Sequence, residues 1–276
     1  FWALEVSFPI IGAISESDAG LEIAERLQYE ICGKEKMEGY TGGINPARRD
    51  KYLMNEALKK SGLKTVRQRK VTGLEDVKKF INDIDENCKE IFFLVLKPLR
   101  GCASGDVFLP NTLNEAKVAL DTILGSDLYG VPGGINKEVL AQEYLKGEEY
   151  AIDIVSRNGI HKVISIWKYD KRPANGAPFV YHRTQLMDPK GKSQGDIVDY
   201  VRKALDALNV KIGASHNEVI NTKRGPIFVE FNGRWQLTDF KEICDVCIGY
   251  NALDTTIDAY FDEEAFERLP KVPLKL

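Results

Sequence analysis

Two short alternating runs near the C-terminal end constrain this chain more than any other feature. GASHNEVI (213–220) and GPIFVEFN (225–232) are joined through the polar, Gly-containing segment NTKRG, which is a hairpin signal. A turn centred near Lys223 and Arg224 sets Glu218 opposite Glu230 and His216 opposite Asn232. Period-two alternation then puts Glu230, Asn232 and, if the strand runs on, Arg234 on one face. Like charges facing each other across a strand pair destabilise it, so these two carboxylates require a compensating cation. Either Lys223, Arg224 or Arg234 neutralises them on a surface hairpin, or a metal ion does. Donors that are all oxygen would select a hard ion, Mg²⁺ or Mn²⁺, over zinc.

The 276 residues suffice for one large or two medium domains, and 43% hydrophobic with 29% charged residues is ordinary for a soluble globular protein. A net charge of −3 and a pI near 5.8 give no electrostatic reason to expect nucleic acid as a partner. No apolar run approaches the roughly 18 residues of a membrane span, so no membrane association is expected. The opening FWALEVSFPIIG lacks a Met, a basic segment and a long apolar stretch; no signal peptide is expected, and the missing Met points to processing or truncation. Cys32, Cys88, Cys102, Cys244 and Cys247 are odd in number and irregularly spaced, which fits reduced thiols and a cytoplasmic location. The lone CxxC of Cys244 and Cys247 has neither a second pair nor a thioredoxin-like context, so structural thiols are expected.

In chain order, FPIIGAI reads as a strand and SESDAGLEIAERLQYEI as a helix capped by Ser15 or Ser17, the tail of a larger α/β unit, followed by a loop over 32–47. RRDKYLMNEALKKSG reads as a helix stopped by Gly62. Its Arg48, Arg49 and Lys51 gather at the end where the helix dipole disfavours cations, which predicts an anion such as phosphate there, or else plain solvation. KTVRQRKV is a strand, LEDVKKFINDI a helix, and IFFLVLKP a buried strand ending in Lys97, a poorly solvated cation that needs a partner. Gly101 and Gly105 then bracket a loop of small residues able to bring N–H groups against an oxyanion, or forming an ordinary hairpin turn. The GxxxxGK[ST] pattern is absent, which excludes a P-loop. TLNEAKVALDTILG is a helix, VLAQEYLKGEEYAIDIVSRNG two strands about Gly147, and HKVISIWKYDKR a further strand. PANGAPFVYHRTQLMD is a Pro/Gly-rich segment, and GDIVDYVRKALDALNV and GYNALDTTIDAYF are helices before and after the hairpin.

Together, a helix opening on Lys51, VLKP before a small-residue loop, QEYLKGEEY, and an acidic hairpin ending EFNGR resemble the ATP-grasp superfamily over roughly residues 48–260. RRDKYLMNEALKKSG, GASHNEV and IIGAISESDAGLEIAERL look most like its carboxylate–amine ligases that join amino acids, such as the bacterial L-amino acid ligases. The resemblance implies an α+β ATP-grasp fold: a remnant of an N-terminal α/β domain over 1–47, a small subdomain over 48–145 and a large one over 146–276, with ATP clamped between the last two.

The resemblance also implies roles. Lys51 and Lys97 would meet ATP phosphates, Lys97 also lying near the adenine, and the Gly101–Gly105 loop with Ser104 would close over the β- and γ-phosphates. Gln142, Glu143 and Leu145 would edge the adenine, mainly through backbone groups, and Glu149 would accept from the ribose hydroxyls. Glu218, Glu230 and Asn232 would hold Mg²⁺ or Mn²⁺, and Arg234 would stabilise the transferring phosphoryl group. His216 would be a catalytic or substrate contact, a partner of the metal ligands, or a packed histidine; His182, Arg183 and Trp235 would border the substrate pocket. Trp235 stands where relatives place a small residue, so substrate identity does not carry over, and Cys102 sits in the glycine loop where a smaller residue is common. The implied reaction is ATP-dependent amide formation between a carboxylate and an amino acid, in a homodimer; an ATP-grasp ligase of the purine or D-alanine branches and a non-catalytic nucleotide-binding regulator are the alternatives.

Overall fold

The computed structural model describes residues 10, 12–33, 43–84, 94–101, 105–236, 240–274 and 276. A 3₁₀ turn at Asp18–Gly20 leads into α1 (Leu21–Cys32), and another at Pro46–Arg48 into α2 (Lys51–Lys60). There follow β1 (Gln68–Val71), α3 (Leu74–Ile84), β2 (Leu94–Pro98), α4 (Leu113–Ile123) and β3 (Val139–Glu143). Next come β4 (Gly147–Arg157), β5 (Ile160–Ala174), β6 (Ala177–Leu186), α5 (Lys192–Ala207), β7 (Gly213–Thr222) and β8 (Gly225–Asn232). The chain continues through α6 (Phe240–Cys247), α7 (Ala252–Phe261) and α8 (Glu263–Arg268). The strands form two antiparallel sheets, β1-β3-β2 and β6-β5-β4-β7-β8, so the fold is α+β.

The smaller sheet buries one face under α3 and α4, with Val77, Phe80 and Leu120 packed on Leu96 and Ala141. The larger sheet separates two chemistries by strand alternation. On one face Tyr150, Ile152 and Ile154 of β4 join Phe228 of β8, Val201 and Leu205 of α5, and Met54 and Leu58 of α2 in the main core. On the other, Glu149, Ala151 and Asp153 of β4 lie beside His216 and Glu218 of β7 and Glu230 and Asn232 of β8. At its far end this second face is covered by α6, whose Cys244 packs with Trp167, and by α7 and α8. The subdomain expected from residue 48 therefore begins with a helix whose Met54 and Leu58 belong to the larger sheet's core.

Local chemistry explains the element ends. Asp50 caps α2 by accepting from the N–H groups of Tyr52 and Leu53, and Gly62 follows with φ of +78°. The Lys51 N–H donates to the Leu99 carbonyl at 2.9 Å, which ties the start of α2 to the exit of β2. Gly147 lets β7 approach β4, because a Cβ there would collide with the Asn221 carbonyl.

Several expectations need correction. Among the described residues before α1 no strand forms where FPIIGAI was read as one, and Ser17 caps the 3₁₀ turn without a side-chain bond. The Pro/Gly-rich segment is strand β6: Asn175 and Gly176 both have positive φ and make the two-residue turn whose Asn-Gly signature permits a hairpin. Arg48 and Arg49 do not await an anion. Arg48 is buried and donates to the carbonyls of Leu208 and Gly43, and Arg49 pairs with Glu25 at 2.8 Å. Helices α6 and α8 had no counterpart in the sequence reading. Among the described residues no helix is long and apolar enough to cross a membrane, and Cys244 and Cys247 are free thiols, the former buried.

Phe228 is fully buried where α5 crosses the larger sheet. Phe228→Ala is expected to lower stability by about 3–5 kcal/mol, read from the midpoint of urea unfolding.

Candidate active site between the two sheets

A cleft of about 350 Å³ separates the smaller sheet from the polar face of the larger one. The smaller sheet and its loops present Lys97, Gly101, Gly105, Gln142, Glu143 and Leu145. Across from them stand Glu149, Lys171, Tyr181, Glu218 and Glu230, with Lys51 reaching in from the start of α2.

The hairpin register places Glu218 directly opposite Glu230 and His216 opposite Asn232, with a bulge immediately after Glu218. Lysines compensate the acids. Lys51 Nζ lies 2.7 Å from Glu230 Oε1 and 2.9 Å from the Gly101 carbonyl. Lys171 Nζ lies 2.6 Å from Glu149 Oε1 and 4.4 Å from the centre of the Tyr181 ring, a cation–π contact. Burial, reinforced by the charge of Lys51, lowers Lys97 to about 8 against the pull of Glu230, Glu218 and Glu149. Burial would raise Glu218, but Lys171, His216 and Lys51 outweigh it and hold the carboxyl near 2. Burial and the neighbouring Glu218 raise Glu149 above the ordinary carboxylate range despite Lys171.

The smaller sheet supplies the other wall. The Glu143 N–H is taken by the Arg67 carbonyl at 3.0 Å, and its carboxylate by Arg67 at 3.1 Å and Arg224 at 2.6 Å. A planar base at this edge would therefore have to use the remaining backbone groups near Leu145 rather than the Glu143 side chain or its N–H. Among the described residues no group of three His, Cys, Asp or Glu gathers as a self-sufficient metal site. Asn232 lines an adjoining recess of about 40 Å³ that it shares with Glu230 rather than the cleft itself; the two opposed carboxylates, with this amide next to Glu230, nonetheless suit a hard divalent ion that takes oxygen donors.

Not every residue singled out from sequence lies in the cleft. His216 is 3% exposed and does not line it; Nδ1 is 2.7 Å from Asp153 Oδ1 and Nε2 is 3.1 Å from the Tyr169 hydroxyl, so it is no substrate contact. Burial would lower its pKa, but Asp153 and Glu218 raise it to about 9. His182 and Arg183 are exposed and off the cleft; strand β6 turns Phe179 and Tyr181 inward instead. Arg234 is buried and pairs with Asp18 at 2.6 Å, and with Trp235 it lines a separate recess of about 90 Å³. Ser104 lies outside the described residues, as does Cys102. Lys171, Asp153 and Asp18 were missed. Lys171 was hidden in the basic run KYDKR, and the partners of Asp153 and Asp18 lie 63 and 216 residues away.

Two facing antiparallel sheets, a cleft between them lined by lysines, and paired carboxylates on the larger sheet define a nucleotide-clamping class of protein. The ATP-grasp domain model matches residues 91–239, and the chain belongs to that family. Dapdiamide A synthase of Enterobacter agglomerans is 28% identical over 225 residues, covering 81% of this chain and 51% of that protein. Alanine–anticapsin ligase of Bacillus subtilis (strain 168) is 28% identical over 205 residues, 68% of this chain and 41% of that one. The chain thus spans about half the length of these relatives. In structure it is similar to an L-amino acid ligase from Bacillus licheniformis, with a TM-score of 0.68 and 21% identity over 94% of this chain and 58% of that one.

The depressed Lys97 sets a pH dependence. Below about 8 the free protein holds Lys97 as an ammonium and above it as a neutral amine, which a bound polyanion would require to take up a proton. ATP affinity measured by calorimetry is expected to weaken above pH 8, toward tenfold per pH unit, the linkage limit for one proton. Lys97→Arg, always charged, should flatten that limb. Affinity that stays constant to pH 9.5 in the parent protein would count against a role for this ammonium.

Proposed function

We propose that this chain carries the catalytic portion of an ATP-dependent ligase that joins a carboxylate to the amine of an amino acid and releases ADP and phosphate. The observation that carries this reading is the cleft itself, where Glu218 and Glu230 face each other within reach of Lys51 and Lys171 and across from Lys97. The names of the two ligases similar in sequence support the reaction class.

Lys97 and Lys51 bind the triphosphate, Lys51 by exchanging its contact with Glu230 for one with a phosphate. The strand end at Gln142–Leu145 edges the base, and Glu149, released from Lys171, accepts from the ribose hydroxyls. Glu218 and Glu230, with Asn232 beside them, would hold Mg²⁺ or Mn²⁺, which when bound would supply charge neutralisation to the transferring phosphoryl group. The substrate carboxylate oxygen attacks the γ-phosphorus, the bond to the bridging oxygen breaks and ADP departs, leaving an acyl phosphate. A neutral amine attacks the acyl carbon, phosphate leaves with the C–O bond's electron pair, and the amine's proton goes to solvent or phosphate. Arg234 reaches the reacting group only by leaving Asp18, so the pair is a contact that opens during turnover. Gly101 and Gly105 line the cleft, and exclusion of water there would protect the acyl phosphate from hydrolysis. On the odd, irregularly spaced cysteines we place the reaction in the cytoplasm, and on the family resemblance alone the protein in a homodimer.

The test is phosphate release from ATP and Mg²⁺ across single and paired L-amino acids, with mass spectrometry of products. Release that requires a pair and yields its condensation product is expected. Silence throughout, with ATP binding intact, would exclude an amino acid as the activated acid. Glu230→Ala should abolish turnover while the protein stays folded; near-normal activity would remove Glu230 from the metal set.

A further inference from the structure

Behind the cleft, the polar face of the larger sheet carries a buried row of side chains that starts at Asn232 and continues through His216, Asp153 and Ser165, three residues the reaction above does not use. In register across four strands, Asn232 of β8 stands opposite His216 of β7, His216 opposite Asp153 of β4, and Asp153 opposite Ser165 of β5. Asp153 and His216 are each 3% exposed. Asp153 Oδ1 is 2.7 Å from His216 Nδ1, while its Oδ2 accepts from Ser165 Oγ at 2.6 Å and from Trp167 Nε1 at 2.8 Å. The imidazole is thereby fixed in plane, and its far nitrogen lies 3.1 Å from the Tyr169 hydroxyl and 3.7 Å from Glu218 Oε1. Tyr169 is itself held by Gln236 Nε2 at 3.1 Å.

A carboxylate this deep is costly unless paired, and hydrophobic residues of similar volume would pack the same space at least as stably. One end of the row meets the site: beside its 3.1 Å contact with the Tyr169 hydroxyl, His216 Nε2 lies at ion-pair distance, 3.7 Å, from one oxygen of Glu218, the carboxylate that reaches the cleft opposite Glu230. Hydrogen-bonded partners behind a metal ligand fix its orientation, and losing them weakens metal binding. We propose that Asp153 and His216 are a positioning pair that orients the Glu218 carboxylate for a hard divalent cation. The proposal rests on the ligase reading above and assigns Asp153 a part in the site.

The experiment uses Mn²⁺ as probe, titrated by electron paramagnetic resonance against the full chain in the presence of ADP, with thermal unfolding measured alongside. His216→Asn keeps an amide nitrogen near the position of Nδ1, and so the bond to Asp153, but loses the reach to Glu218. His216→Gln keeps a nitrogen near the position of Nε2. Mn²⁺ affinity is expected to fall about 10- to 100-fold in His216→Asn, the range seen when such partners are removed, with its unfolding midpoint near the parent's. His216→Gln should recover part of that loss. Equal Mn²⁺ affinity in the parent and His216→Asn would overturn the proposal and leave the row a structural network only. Should His216→Asn fail to fold, Asp153→Asn carries the test on the same criterion. A parent protein that binds no Mn²⁺ with ADP would instead overturn the metal-dependent ligase reading on which the pair rests.

Discussion

Two carboxylates held face to face across a pair of strands set the terms for the rest of this molecule. Glu218 and Glu230 are a directly opposed pair on β7 and β8, and in isolation such a pair repels. The fold tolerates it by surrounding it with cations from three separate elements: Lys51 from the start of α2, Lys97 from the end of β2 and Lys171 from β5. Lys51 and Lys97 come from outside the larger sheet, so the repulsion within the hairpin becomes an attraction between the sheet and what lies across the cleft. The same electrostatics that holds the cleft together suits it to a highly charged guest.

Strand alternation lets one sheet serve as both core and site. Tyr150, Ile152 and Ile154 point into a hydrocarbon core with α2 and α5, while Glu149, Ala151 and Asp153, their immediate neighbours in sequence, point the other way. A slip of one residue would exchange the two sets and bury the acids among Leu58 and Phe228. Burial of one face therefore specifies the register as well as the hairpin's own hydrogen bonds do. The small Ala151, placed between Glu218 and Trp167, leaves room on the polar face for the Trp167 ring that packs under α6, while Tyr169, two residues along β5, lines the cleft.

The charge pairs around the cleft differ in what they fasten. Arg224, at the tip of the β7–β8 turn, meets Glu143 at the end of β3, and Lys64 donates to the Arg224 carbonyl at 2.5 Å, so the hairpin tip is pinned to the smaller sheet's side. Arg48 spends its guanidinium on carbonyls after α5 and so pins the segment before α2 to the larger sheet. Lys51, Lys171 and Arg234, by contrast, each face an acid at or near the cleft, and a phosphate or carboxylate could replace that partner. Of these three, Lys51 and Lys171 line the cleft, while Arg234 and Asp18 lie in recesses next to it.

The sequence by itself determined the hairpin and its contents: alternation and the polar NTKRG turn set Glu218 against Glu230 and His216 against Asn232, and the structure has that register. The buried strand ending in Lys97, the helix stopped by Gly62 and the motif order that marks an ATP-grasp domain were equally legible, because each depends on residues close together in the chain. The Asn-Gly turn before β6 was also written there and was masked by the prolines around it. Only the tertiary structure decided which charges meet. Whether an arginine near a helix start awaits phosphate or staples backbone, and whether Arg234 faces the cleft or Asp18, depends on partners more than 150 residues away. Burial then sets the strength and the protonation of each pair, and burial is a property of the packed chain rather than of any segment of it.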